Sequence, residues 1–279
     1  MHKKKNKILG LTLFFIIVSS CSLVGEWWYE RLDKIIANYF YEYAEFDRKQ
    51  KDEIKRISQA YHNWLSKEEL PKYRSLLIEL RDLDETTTNE DIANISAMAE
   101  ERFIASNNFF HPFIIEFSIK MTDKQVSQID QHFREIVNKR KEAEKKRGKE
   151  ENSTLETFIR VFKFLKVELN EEQKNKIIQF ALENDEINRD PNFSEFDQAQ
   201  WNKELNLILL DRKNISFEPR LDKHLKVFND PRGESELNKR FNTLLAEIIS
   251  SMDVKQRKNY RQRINFFIKS LEGIIDNYI

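Results

Sequence analysis

Residues Met252 to Ile274 read MDVKQRKNYRQRINFFIKSLEGI, and Tyr260, Ile264, Phe267, Leu271 and Ile274 recur at intervals of three and four. That spacing lays all five on one face of an α-helix. The stretch also carries its own start signal. Asp253 is a helix N-cap whose carboxylate accepts an orphan backbone N–H, Gln256 three residues on reaches back to the cap's own N–H, and Met252 staples the turn from outside. The same opening occurs three more times, at Phe46-Asp47 to Gln50, Met121-Thr122 to Gln125 and Leu169-Asn170 to Gln173. Successive caps lie 75, 48 and 83 residues apart, intervals too irregular for a solenoid repeat.

Outward from these starts the helical period dominates. One face is predicted from Trp28, Leu32, Ile35, Tyr39 and Tyr43, another from Ile54, Ile57, Tyr61 and Trp64, and later ones from Val126 to Arg140, Leu155 to Leu165, Trp201 to Leu209 and Leu237 to Ile248. No stretch of similar length alternates with period two. Five Gly and five Pro in 279 residues are too few for most β architectures, while 21 Phe supply a core despite 34% charged residues. The expected fold is all-α, a multi-helix bundle of about eight to ten helices with no sheet. Residues 21–279 are read as one helical domain, in which 141–152 is either a linker that subdivides it or a long exposed hairpin between helices. Asn107-Asn108 and His111-Pro112 are expected to interrupt or kink a helix, and breaks are expected at Asn188 to Asn192, at Ile215 to Pro219 and at Asp230 to Gly233. Pro71 is expected in the first turn of a new helix, started by Ser66 with Glu69 as its box partner.

The amino terminus carries an address. Lys3, Lys4, Lys5 and Lys7 precede an apolar run, Ile8 to Val18, which is too short for a bilayer span of about 20 residues and fits the core of a signal peptide. Val18-Ser19-Ser20-Cys21 then resembles the lipobox of bacterial lipoproteins. Small side chains before the scissile bond and a cysteine after it are what the chemistry needs: the thiol takes a diacylglycerol thioether, and cleavage frees the amine for a further acyl chain. Residues 1–20 are therefore expected to be removed and Cys21 to be lipidated. Ser22, where Asp would retain a Gram-negative lipoprotein in the inner membrane, implies an outer-membrane anchor facing the periplasm.

The capping motif resembles the Leu-Thr-x-x-Gln motif of the small helical periplasmic stress chaperones of the Spy and CpxP type, which are far shorter chains. A wider resemblance covers nearly all of the mature chain. Trp27-Trp28, Tyr39 to Asp47, Gln50 and above all Trp64 to Tyr73 (WLSKEELPKY), followed by Leu76, Leu77 and Leu80, resemble an uncharacterised family of bacterial lipoproteins catalogued as domain of unknown function 6279. That resemblance implies a helical envelope lipoprotein and supplies no catalytic residues. Val167-Glu168 stands where the family pattern has Gly.

Other chemistry finds little support. Without its first 20 residues the chain has a net charge of −4, which gives it no long-range pull on nucleic acid. His62, His111, His132 and His224 include no helical i,i+3 or i,i+4 pair, so neither a helical metal site nor any cofactor is expected. The charges interleaved at Glu26, Glu30, Arg31, Asp33 and Lys34 predict that the aromatic-rich first helix is buried in the domain rather than in a membrane interface. The expected function is non-covalent binding, as a scaffold, an envelope-assembly accessory or a chaperone-like factor. The membrane, through the lipid, and an envelope protein are the expected partners. The alternatives are a cell-envelope enzyme, such as a cell-wall hydrolase, and an envelope stress sensor; the sequence leans away from the enzyme.

Overall fold

A computed structural model describes residues 29–147, 153–184, 198–227, 229 and 236–278. Cys21, the leader, Trp27-Trp28 and the breaks expected at 188–192 and 230–233 lie outside these residues. The helices are α1 (Leu32–Tyr41), α2 (Arg48–Trp64), a π-helical turn (Leu65–Glu69), α3 (Leu70–Asp82), α4 (Asn89–Ile119), α5 (Asp123–Arg147), α6 (Ser153–Phe164), α7 (Glu171–Glu183), α8 (Gln198–Leu210), α9 (Phe217–Lys226), α10 (Glu236–Ser250) and α11 (Val254–Tyr278). With the unbroken run Arg48–Asp82 counted once, there are ten helices and no strand among the described residues. The protein is all-α.

Two main cores organise the bundle. The larger is built around α11, whose Tyr260, Ile264, Phe267, Leu271 and Ile274 are all buried with Leu76 and Leu77 of α3, Phe158 and Phe162 of α6, Ile177 of α7 and Ile248 of α10. The smaller joins Met121 and Val126 to Leu205, Ile208 and Leu209 of α8 and to Phe217 and Leu221 of α9. Helix α4 reaches both, since 31 residues extend about 46 Å. Its Ile95 and Met98 pack on the larger core, and Ile115 and Phe117 on the smaller.

Four local readings are corrected by the structure. Asn107-Asn108 and Pro112 do not interrupt α4, which contains Pro112 inside its length. Neighbours hold the turn just ahead of the proline, with Asn229 Nδ2 donating to Asn108 Oδ1 at 2.7 Å and His111 Nε2 meeting Asp222 Oδ1 at 3.0 Å. Ser66 starts no helix either. The chain passes from α2 to α3 through the π turn, in which Leu70 N–H donates to Leu65 O, five residues back. Ser66 Oγ instead donates to His62 O at 2.7 Å. A widened turn relieves the crowding that a proline ring imposes on the preceding α-helical turn, so Pro71 is carried without a break.

The loop expected over Ile215 to Pro219 is shorter, because α9 already begins at Phe217 and holds Pro219 in its first turn. There a missing N–H costs no helical hydrogen bond. On α1 the buried side carries Leu32 and Ala37 and follows Tyr29, whereas Tyr39 is 54% exposed. Ala37 packs there with Phe46 and with Ile54 of α2, where a larger side chain would not fit as closely.

The turn from α6 to α7, where a departure from the family pattern was expected, is closed by Lys166 at φ 61°. Lys166 N–H donates to Lys163 O at 3.0 Å and Val167 N–H to Phe162 O at 2.8 Å, the paired bonds of a Schellman ending. The left-handed residue of such an ending is usually Gly, since a β-carbon costs about 1–2 kcal/mol there. Lys166→Gly should therefore raise stability by about 0.5–1 kcal/mol after the added freedom of the unfolded chain is subtracted. Urea denaturation followed by circular dichroism measures it, with a lower midpoint counting against this account of the turn.

Candidate functional site

Each of the four sequence motifs forms a reciprocal capping box. The N-cap oxygens of Asp47, Thr122, Asn170 and Asp253 accept from the backbone N–H of Gln50, Gln125, Gln173 and Gln256 at 2.7–3.2 Å, and each glutamine Oε1 accepts from its own cap's N–H at 2.9–3.0 Å. The four glutamines are buried. They also meet in pairs. Gln50 and Gln125 exchange side-chain amide hydrogen bonds of 3.1 and 2.6 Å across 75 residues, and Gln125 Nε2 donates to Glu45 O at 2.9 Å. Gln173 and Gln256 do the same at 3.4 and 3.0 Å across 83 residues, with Gln256 Nε2 donating to Glu168 O at 2.5 Å. These residues are joints between helices. A fifth box, Thr88 with Asp91, opens α4 and was missed because its return group is Asp rather than Gln.

The segment Trp64 to Tyr73 builds a different kind of centre. At the end of the π turn, Glu69 is only 1% exposed. Its Oε1 accepts from Lys72 Nζ at 2.6 Å, and its Oε2 lies 3.3 Å from Nη1 of Arg102, which reaches across from α4. A carboxylate so buried is tolerable only because two cations face it. Tyr61 closes one side, its hydroxyl 3.0 Å from Ser106 Oγ. Burial pushes the Tyr61 and Tyr73 phenols up, and the negative charge of Glu69 adds to both. Two phenols held protonated beside a neutralised carboxylate make a structural hub; none of these groups is set as nucleophile against base.

On the far side of the same turn Tyr29 Oη lies 2.7 Å from Ser66 Oγ, and the Tyr29 ring meets His62 edge-on at 4.6 Å. Burial lowers the His62 pKa, with Asp33 opposing.

Aromatic rings run outward from the hub in an unbroken series. Trp64 lies 5.1 Å from Phe109, Tyr61 4.5 Å from Phe110, Phe110 5.8 Å from Phe40, and Phe40 5.8 Å from Tyr39. Tyr43 continues it to His132 and Phe133 at 4.5 and 5.5 Å, and Trp201 stacks on His224 at 4.6 Å beyond them. Apart from the exposed Tyr39, these rings are all half-buried. The run Phe109 to Phe117 is contiguous in the chain, but its partners on α1, α2, α5 and α8 are assembled only by the tertiary fold.

Among the described residues no group of three or more His, Cys, Asp or Glu could hold a metal ion, and no helix is long and apolar enough to cross a membrane. Cys21, the lipidation candidate, lies outside the described residues. A family model, described as a family of unknown function, DUF6279, matches residues 42–231. That span includes the π turn, the Glu69 centre and three of the four glutamine boxes, and leaves out Cys21 and Met252 to Gln256. No curated protein and no solved structure matches the chain.

Removing one of its two cations leaves the buried Glu69 with Lys72 alone and takes away the charge that faces Oε2. Arg102→Met should therefore cost about 3 kcal/mol, and the double variant Glu69→Gln with Arg102→Met should recover part of that loss. A double variant as unstable as the sum of the two singles would sink the ion-pair account. The lowered pKa of His62 has its own consequence. Below about pH 6.5 the unfolded chain takes up a proton that the folded imidazole refuses, so stability should fall as pH drops from 7 towards 5. His62→Gln should flatten that slope in thermal melts taken across the interval.

Proposed function

We propose, for a chain that belongs to the DUF6279 family of unknown function, that it is a lipid-anchored envelope protein which binds apolar segments of other envelope polypeptides without covalent chemistry. The anchor reading rests on the lipobox-like Val18 to Cys21 behind a short apolar core. With diacylglycerol on the thiol and a further acyl chain on the amine, attachment would be stable, since each buried CH₂ contributes about 0.8 kcal/mol. Tyr29, eight residues beyond Cys21, packs on the π turn, so the anchor would be tethered to the bundle through that turn by eight residues. Outer-membrane attachment facing the periplasm follows from the sorting rule applied to Ser22.

The observation that carries the binding reading is the half-buried ring series. Helix α4 carries Phe103, Phe109, Phe110, Phe113 and Phe117, yet its only buried residues are Ile92 and Ser118. Its rings are partly covered and partly offered to solvent, where ordinary cores bury aromatics fully and gain more from doing so. Aromatic surface left partly open along one helix supports a recognition face. Rings carry large contact area at little loss of side-chain freedom, which suits partners of varied sequence.

Two measurements test the reading. Intact-mass analysis of protein extracted from membranes should find residues 1–20 absent and acyl mass on Cys21, and Cys21→Ala should leave the precursor uncut. The soluble chain from Ser22 should bind a fluorescently labelled, reduced and alkylated protein that cannot fold. Tyr39→Ser combined with Phe113→Ser should weaken that binding at least tenfold, about 1.4 kcal/mol, with the helical spectrum unchanged. If the unsubstituted protein fails to bind, or the substituted one binds equally well, the ring series is not a recognition face.

A further inference from the structure

The two glutamine clasps share their surroundings as well as their chemistry. Helix α1 ends at Tyr41, six residues before Asp47, and α6 ends at Phe164, six before Asn170. Helix α4 ends at Ile119, three residues before Thr122, and α10 ends at Ser250, three before Asp253. In each clasp the later glutamine donates to the carbonyl two residues ahead of the earlier cap, Glu45 in one and Glu168 in the other. The stapling residues Phe46, Met121, Leu169 and Met252 are all buried, as are Ile54 and Ile177, each seven residues past its cap.

Packing between the two sets is crossed. Helix α11, which closes the second clasp, lies along α3, which continues the helix that opens the first: Tyr260 Oη donates to Leu80 O at 2.5 Å, and Arg74 pairs with Glu272 at 2.6 Å. Helix α5, which closes the first clasp, lies along α8, which follows the opening helix of the second. There the buried Arg212, just beyond α8, donates Nε to Met121 O at 2.7 Å and pairs with Asp123. Helices α4 and α10, equivalent by position, pack on each other.

We propose that the chain is one helical unit present twice, Leu32–Arg147 and Ser153–Tyr278, whose copies exchange their closing helices, so that each unit is the binding partner of the other within a single chain. In this correspondence α1 to α5 answer to α6, α7, α8, α10 and α11, and α9 belongs to the second copy alone. Equivalent caps are 123 residues apart in the opening boxes and 131 in the closing ones, the difference falling between them where α9 is added. Generic capping boxes on a bundle have no need to pair, still less to pair in chain order onto the same backbone acceptor. This inference is independent of the binding reading, and its readouts are structural.

The test uses the full chain with a protease recognition sequence inserted between Arg147 and Ser153. After cleavage the two pieces should stay together at one-to-one stoichiometry through gel filtration and lose helicity in a single transition; pieces that separate as two folded species would overturn the exchange. Alanine cycles test the equivalence. Gln50→Ala with Gln125→Ala should lower the melting midpoint little further than either alone, and Gln173→Ala with Gln256→Ala likewise, whereas Gln50→Ala with Gln256→Ala should lower it by the sum. Additivity within a pair, or strong coupling across pairs, would overturn the twin clasps. If an alanine variant does not fold, the same cycle with Gln→Met keeps the side-chain volume and reads the same couplings.

Discussion

A helix that begins inside a protein brings backbone N–H groups into a place without water, and each must find an acceptor there. In this chain that requirement is met four times by a glutamine, and the glutamine amide has more to give than the cap consumes. One Oε1 lone pair takes the cap's N–H, leaving the Nε2 hydrogens and a second lone pair in the dry interior. They are satisfied only if another polar group arrives, and the group that arrives is the amide of a second glutamine. Local capping chemistry thus becomes a long-range constraint. Four helix starts are drawn into two pairs, and helices α2, α5, α7 and α11 are placed by that pairing before their apolar faces are considered.

This explains why some of the molecule was legible in the sequence and some was not. The stripe Tyr260 to Ile274 and the four boxes are local patterns, and the helices they announce are present. Which box meets which is a tertiary fact: intervals of 75, 48 and 83 residues look irregular until the first and third are recognised as distances within pairs. Pro71 and Pro112 misled for a related reason. Proline's effect on an isolated helix is to end it, but a packed helix keeps its course if the turn before the proline can widen or if neighbours fix the side chains just ahead of it. Lys166 shows the same override at a single residue. The family pattern led to an expectation of Gly nearby, and the turn was formed by a lysine under modest strain because buried residues on either side, Leu165 and Val167, fix the chain's path.

The hub at Glu69 and the aromatic series were the least readable features, because each is assembled from elements distant in the chain. WLSKEELPKY looked like a capping sequence followed by a helix. Its acid is in fact directed inward, towards an arginine 33 residues later on another helix. Burying a charge pair is seldom the most stabilising choice. Its value here lies in orientation, since the ion pair from the π turn to α4 ties the ring-bearing face of α4 against Tyr61 and Trp64. The aromatic surface and the ion pair that aims it belong together, one soft and adaptable, the other fixed.

The π turn has one more consequence. Successive residues of an α-helix are rotated by about 100°, so accommodating one extra residue in a turn shifts the phase of everything after it by that angle. From Arg48 to Trp64 the rod faces α1 and α4; from Leu70 to Asp82 it faces α11, with Leu76 and Leu77 buried. The chain thereby changes the direction in which one rod presents its apolar side without spending a loop on the change. Deleting a single residue between Leu65 and Glu69 would restore an ordinary helical count and swing Leu76 and Leu77 away from α11. Length variation inside this turn is thus coupled to the identity of every residue beyond it, and insertions and deletions among relatives should avoid it.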